Sequence, residues 1–174
     1  MFSLEEIQKS AKPFVFSLGL KFLGQRPSLD VIRAFVRNRW GLVAQPVISG
    51  MRKPRNVFLR FSKEEDFLKA FSREACDIED VPYKIFYWTT EFSKEAEPSR
   101  IPVWVFLPGL PSNFYHEAFL KNLSLPFGLY IRSDNSTRFA TRTDGARFCF
   151  EMDATVESLK GFWIGALRQR SSRF

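Results

Sequence analysis

Residues 56 to 61 read NVFLRF, and their alternation decides what chemistry they can do. Successive side chains of a β-strand point to opposite faces, so Val57, Leu59 and Phe61 form an apolar side while Asn56, Phe58 and Arg60 form the other. A ring beside a guanidinium on an open sheet suits an unpaired nucleobase: the ring stacks, for about 1–3 kcal/mol per base, and the cation meets phosphate. Just upstream, GMRKPR places Arg52, Lys53 and Arg55 on a turn that can grip a polyanionic backbone. Farther on, VPYKIFYWTTEF divides in the same way, Tyr83, Ile85 and Tyr87 against Lys84, Phe86 and Trp88. Phe58, Arg60, Phe86 and Trp88, with Arg52, Lys53 and Arg55 on phosphates, are therefore the candidate contacts for single-stranded RNA or, second, DNA. The competing accounts are burial of Phe58 beneath the second half of the chain or a neighbour, and an exposed basic turn with no ligand.

Other chemistry has little to work with. His116, the single histidine, sits in FYHEAF at a helix start and is read as a polar helix-surface residue. With one histidine and two distant cysteines, Cys76 and Cys149, a four-ligand zinc site is not available within the chain. There is no glycine-rich phosphate loop, no G-x-S-x-G elbow and no H-E-x-x-H pair. Glu64, Glu65 and Asp66 are accounted for by a helix amino terminus, where negative charge meets the dipole favourably. No catalytic residue, metal or cofactor is expected, and the chain is read as non-enzymatic.

The 174 residues can bury a real core without staples. Two separated cysteines match no secreted framework, which favours a reducing compartment. Glu5 and Glu6 stand where a secretory signal would be positive, and no apolar run is long enough to span a bilayer. A soluble intracellular protein of the nucleus, the cytoplasm or both is expected. Its 26 Lys and Arg outnumber 19 Asp and Glu, for a net charge of +7, which suits a polyanionic partner.

These residues need elements to hold them. VFSLGLKFL, residues 15 to 23, reads as a strand. Ser28 caps a helix whose apolar side is Leu29, Ile32, Phe35, Val36 and Trp40, with Arg33 and Arg37 on a solvated side. LVAQPVIS is a strand placed at a sheet edge by Pro46. NVFLRF follows, then a helix with Ser62 and Glu65 as a capping box, Phe67, Leu68, Phe71 and Ala75 buried, and a solvated charged face. Residues 81 to 92 form the last strand. This strand, helix, strand, strand, helix, strand order over 15 to 92 predicts an α+β, ferredoxin-like antiparallel sheet with two helices, as in RNA-recognition motifs. Residues 1 to 14 are an N-terminal extension and 93 to 100 a linker. From 101 to 167 a strand (IPVWVFLPGLP), a helix ending at Gly128 and two more strands (LYIRSD, ARFCFEMD) make a second, partial βαββ unit packed on or beside the first. A basic tail, 168 to 174, closes the chain.

Against the RNA-recognition strand pattern, Phe61 takes the final aromatic position, Leu59 the aliphatic one and Phe58 a stacking one, while Asn56 replaces a second aromatic. In the companion strand the distance to Ser28 favours the register that puts Gly19, with no ring, at the stacking position. Two weakened motifs imply binding that is phosphate-dominated and loosely sequence-specific.

The ordered segments KFLGQRPSLDVIRAFVRNRWGL, VFLRFSKEEDFLKAF, IFYWTTEFSKE, IPVWVFLPGLPSNFYHEAFLKNL and ATRTDGARFCFEMDA resemble the plant family named domain of unknown function 4283, over roughly residues 15 to 167. PVWVFLPGLP is the most specific of them. That family occurs in the first open reading frame of LINE-type retrotransposons and in host genes derived from them. The resemblance implies an RNA-recognition-like module in a nucleic-acid-binding protein that coats element RNA. Members often continue past a segment like GFWIGALRQ into a Cys-Cys-His-Cys zinc knuckle; this chain reaches Phe174 without one, which suggests either a sequence cut before the knuckle or a truncated copy. The glycine-proline-tryptophan turn usual before the fourth strand is replaced by EACDIEDVPY. The rival expectation is a protein-interaction or assembly module, with self-association or a protein partner, in which the sheet face is covered or meets another chain. No membrane partner is expected.

Overall fold

A computed structural model describes residues 3–88 and 100–155. The chain enters through α1 (Leu4–Ala11) and a 3-10 turn (Lys12–Phe14), then runs β1 (Ser17–Phe22), α2 (Leu29–Arg39), β2 (Val47–Gly50), β3 (Asn56–Arg60), α3 (Glu64–Phe71), the short β4 (Asp77–Ile78) and β5 (Val81–Tyr87). The strands form one antiparallel sheet in the order β2-β3-β1-β5-β4. With β5 as the fourth long strand, this is the ferredoxin-like order, in which the two strands flanked by helix crossovers lie at the centre.

Period-2 burial builds the core. Leu18, Leu20 and Phe22 of β1, Val57 and Leu59 of β3, and Tyr83 and Ile85 of β5 face Ile32, Val36 and Trp40 from α2 and Phe67, Ala70 and Phe71 from α3. Ser28 caps α2 by accepting from the Val31 N–H, and α2 ends at Trp40, followed by Gly41 at φ +59°. β2 lies at the sheet edge, with Pro46 immediately before it.

The second sheet comprises β6 (Arg100–Pro108), β7 (Leu129–Ser133) and β8 (Gly145–Asp153), ordered β6-β8-β7. Helix α4 (Glu117–Ser124) covers one face with Leu120 over Ala146, Phe148 and Phe150. A short α5 (Asn135–Arg138) sits in the polar loop before β8. This is the expected partial βαββ unit, lacking a fourth strand and second long helix among the described residues.

The face opposite α4 is turned onto the end of α3. Trp104, Cys149 and Arg132 are directly opposed across the three strands. Trp104 Nε1 donates to the Ser72 carbonyl at 3.0 Å, and Arg132 Nε to Ser72 Oγ at 2.6 Å. Both Arg132 and Arg147 place their guanidinium carbons 4.9 Å from the Trp104 ring centre, and Arg147 also pairs with Glu74. Farther along, the Tyr87 hydroxyl donates to Glu151, which pairs with Arg100.

Several local expectations are corrected. Residue 63 rather than Ser62 is the N-cap of α3, and no side chain caps it. The acidic cluster is not wholly solvated: Asp66 is buried and accepts from the Val43 and Ala44 N–H groups at 2.8 and 2.9 Å, tying α3 to the turn after α2. Helix α3 stops at Phe71, so Ala70 is buried and Ala75 exposed. Arg100 belongs to β6 rather than to a linker. The N-terminal extension contains a helix with its own capping box, Ser3 and Glu6. The C-terminal ends of the long aromatic strand and most of the linker, 89 to 99, and the tail, 168 to 174, lie outside the described residues.

Candidate nucleic-acid interface

The helix-free face of the first sheet is laid out in rows by strand register. Across β5, β1 and β3, Lys84, Lys21 and Asn56 are opposed; next come Phe86, Gly19 and Phe58, continuing to Ser49 of β2. The third row sets Ser17 against Arg60 and Val47, and the Trp88 N–H donates to the Ser17 carbonyl at 3.2 Å. Sequence alternation alone puts these side chains on one side, and the register brings Phe58, Arg60, Phe86 and Trp88 together.

Phe58 and Trp88 pack edge-on with ring centres 5.1 Å apart, and both remain half-buried. Phe86 is different. It is only 3% exposed, and its ring lies over Gly19, where a β-carbon would fall 2.1 Å from Cζ. The expectation that Phe86 offers a ring to a ligand is corrected: the space left by the missing side chain at Gly19 is filled from the neighbouring strand.

The basic turn lies at the other end of the face. The Asn56 N–H donates to the Lys53 carbonyl at 2.9 Å, closing the turn, and Arg26 Nε donates to the Pro54 carbonyl at 2.7 Å. Arg52, Lys53 and Arg55 are exposed, and Arg52 and Arg55 make no ion pair with the described residues. Exposed Lys21 and Lys84 join them, since Asn56 of their row follows Arg55 directly. Sequence reading placed Lys84 outward but missed that the two lysines extend the basic turn across the sheet; cross-strand register is what aligns them.

A residue that sequence reading passed over covers the aromatic end. Phe14, from the turn after α1, sets its ring centre 5.3 Å from Trp88 and 6.2 Å from Phe58, and the Arg60 guanidinium carbon lies 5.5 Å from its centre. The expected threat to this face was the chain's carboxy-terminal half; among the described residues the cover comes from the N-terminal segment. Between the Trp88 and Arg60 strands, Ser17 Oγ is buried with no hydrogen-bond partner among the described residues. The sequence signal for this segment was the Ser3-x-x-Glu6 capping box, which predicts a helix leading to Phe14.

His116 is the N-cap of α4, its Nδ1 accepting from the Phe119 N–H at 3.3 Å. Both cysteines are free thiols. Among the described residues no group of three or more His, Cys, Asp or Glu is placed to hold a metal, and no helix is long and apolar enough to cross a membrane.

Residues 11–95 match the family model described as Domain of unknown function (DUF4283). The matched span takes in the first sheet and stops short of the second, a narrower range than the motifs suggested. No curated protein matches the sequence. Among solved structures, the chain is similar to one titled as a Sxl-lethal protein/RNA complex, at 16% identity and a TM-score of 0.35, covering 80% of this chain and 83% of the other. It is also similar to the first two RRM domains of the yeast poly(U) binding protein Pub1, at 16% identity and a TM-score of 0.32, covering 77% and 81%.

Proposed function

We propose that the protein is a non-enzymatic binder of single-stranded nucleic acid, RNA ahead of DNA, with weak sequence preference. The observation that carries this reading is the pairing of Phe58 and Trp88 on a helix-free sheet face, with Arg60 beside them and the row of Lys84 and Lys21 running into Arg52, Lys53 and Arg55. Two half-buried rings offer stacking to any base, because every base has a π-face. Five cations along one margin offer phosphate contacts, which add affinity without reading sequence. Asn56 and Gly19 stand where further rings would read a longer segment, so base contacts are few and the salt dependence steep. The same proposal includes the finer kinship implied by the motifs, a plant LINE-type first-open-reading-frame protein acting inside the cell on element or host RNA.

Titration of labelled oligouridine and oligodeoxythymidine over a range of salt tests it. Binding that weakens steeply with salt, with RNA at least as tight as DNA, is the expected result. Absence of binding at about 50 mM salt, where phosphate contacts are strong, refutes the proposal.

A further inference from the structure

We infer that the N-terminal segment is a displaceable cover over the aromatic end of this face, with Phe14 standing in the position that a nucleobase would take. The inference rests on the nucleic-acid reading for its consequence, though not for its geometry.

Three observations carry it. First, Phe14 engages the same groups a stacked base would need: the rings of Phe58 and Trp88 and the guanidinium of Arg60. A base and the Phe14 ring cannot share that site. Second, the segment is lightly held. No residue of α1 or of the following 3-10 turn is buried, and Leu4 and Ile7 on the helix are 79% and 50% exposed. Firm attachment begins two residues past Phe14, where the Phe16 carbonyl accepts from the Phe61 N–H at 2.8 Å and the Phe16 ring packs on Phe67. Segments with few buried contacts open at low free energy, while β1 stays in the sheet. Third, a polar group in the same row is unsatisfied: Ser17, in register with Arg60 and accepting at its carbonyl from the Trp88 N–H, has its Oγ buried without a described partner.

The Ser3–Glu6 capping box is internal to the segment, so lifting it breaks neither of those hydrogen bonds. A ligand that binds only the open state pays for opening, so its apparent affinity falls by the fraction of chains that are open.

The test uses the full chain with Phe14→Ala, Phe58→Ala and the double variant, titrated with a short labelled oligouridine at two salt concentrations. Phe14→Ala is expected to tighten binding about 3–10-fold, the size of one lost competing ring–ring contact, with an unchanged salt slope. In the Phe58→Ala background the gain should shrink. Weaker binding by Phe14→Ala overturns the inference, since Phe14 would then be part of the ligand surface; unchanged binding overturns it as well. A fluorine label on the tryptophans, with the Trp88 resonance assigned through Trp88→Phe, separates this inference from the function itself. If no variant binds the oligonucleotide, the functional reading fails, and a Trp88 resonance moved by Phe14→Ala still supports the cover, whereas an unmoved one overturns it. Thermal melting of Phe14→Ala near the parent value confirms that the fold is intact.

Discussion

The ring of Phe86 lies on the backbone of Gly19, so near that a β-carbon at 19 would sit 2.1 Å from Cζ. The pair occupies the middle row of the helix-free face, between the basic row and the Trp88 end. Gly19→Ala should therefore cost about 1–3 kcal/mol by denaturant titration, as overpacking does. Combining it with Phe86→Ala should remove most of that penalty, giving a coupling in a double-mutant cycle. Additive effects would show that the ring swings away freely.

Binding on the face divides between stacking and charge. Phe58→Ala should lower oligonucleotide affinity about 5–100-fold with little change in salt slope, as loss of one stacked base requires. Arg52→Ala with Lys53→Ala should instead flatten the plot of log K against log salt by about 1–2. Both are read from the same titration series.

Asp66 is a charged residue used as a structural tie. Its two oxygens accept from the Val43 and Ala44 N–H groups, and the residue is 1% exposed. Asp66→Ala should destabilise the fold by about 1–3 kcal/mol in denaturant. Asp66→Asn, which keeps one acceptor, should lose less.

Alkaline pH should loosen the contact between the two sheets. Burial pushes the Cys149 thiol from 9.0 up to about 12. Burial, followed by the hydrogen bond to Glu151, raises the Tyr87 phenol well above its usual range. In both cases the protonated form is the one the fold holds. Their contributions are complete below the unfolded values, near ~9 for the thiol and ~10 for the phenol, and are lost as pH climbs toward the folded ones. Denaturant midpoints should fall above about pH 9, and Tyr87→Phe should flatten the fall above about pH 10. Iodoacetamide at pH 8 should leave Cys149 unmodified until the protein unfolds.

What the amino-acid sequence determined by itself is the alternation that sorts side chains to two faces. Val57, Leu59 and Phe61 are inside, and Phe58 and Arg60 opposite, because a strand has a period of two whatever its neighbours. Helix periodicity likewise settled Ile32, Val36 and Trp40; the edge strand, expected over 42 to 49 with Pro46 inside it, begins only at Val47, so Pro46 marks its start. Those signals are local, so they survive without knowledge of the rest of the chain. Whether an outward side chain meets water is a different kind of fact. Phe86 lies against the sheet because the residue opposite it is Gly19, Asp66 is buried because a turn twenty-two residues earlier reaches its carboxylate, and Phe58 is shared with Phe14 because the chain folds back before β1. Each depends on which strangers in sequence become neighbours in space, and only the tertiary structure decides that.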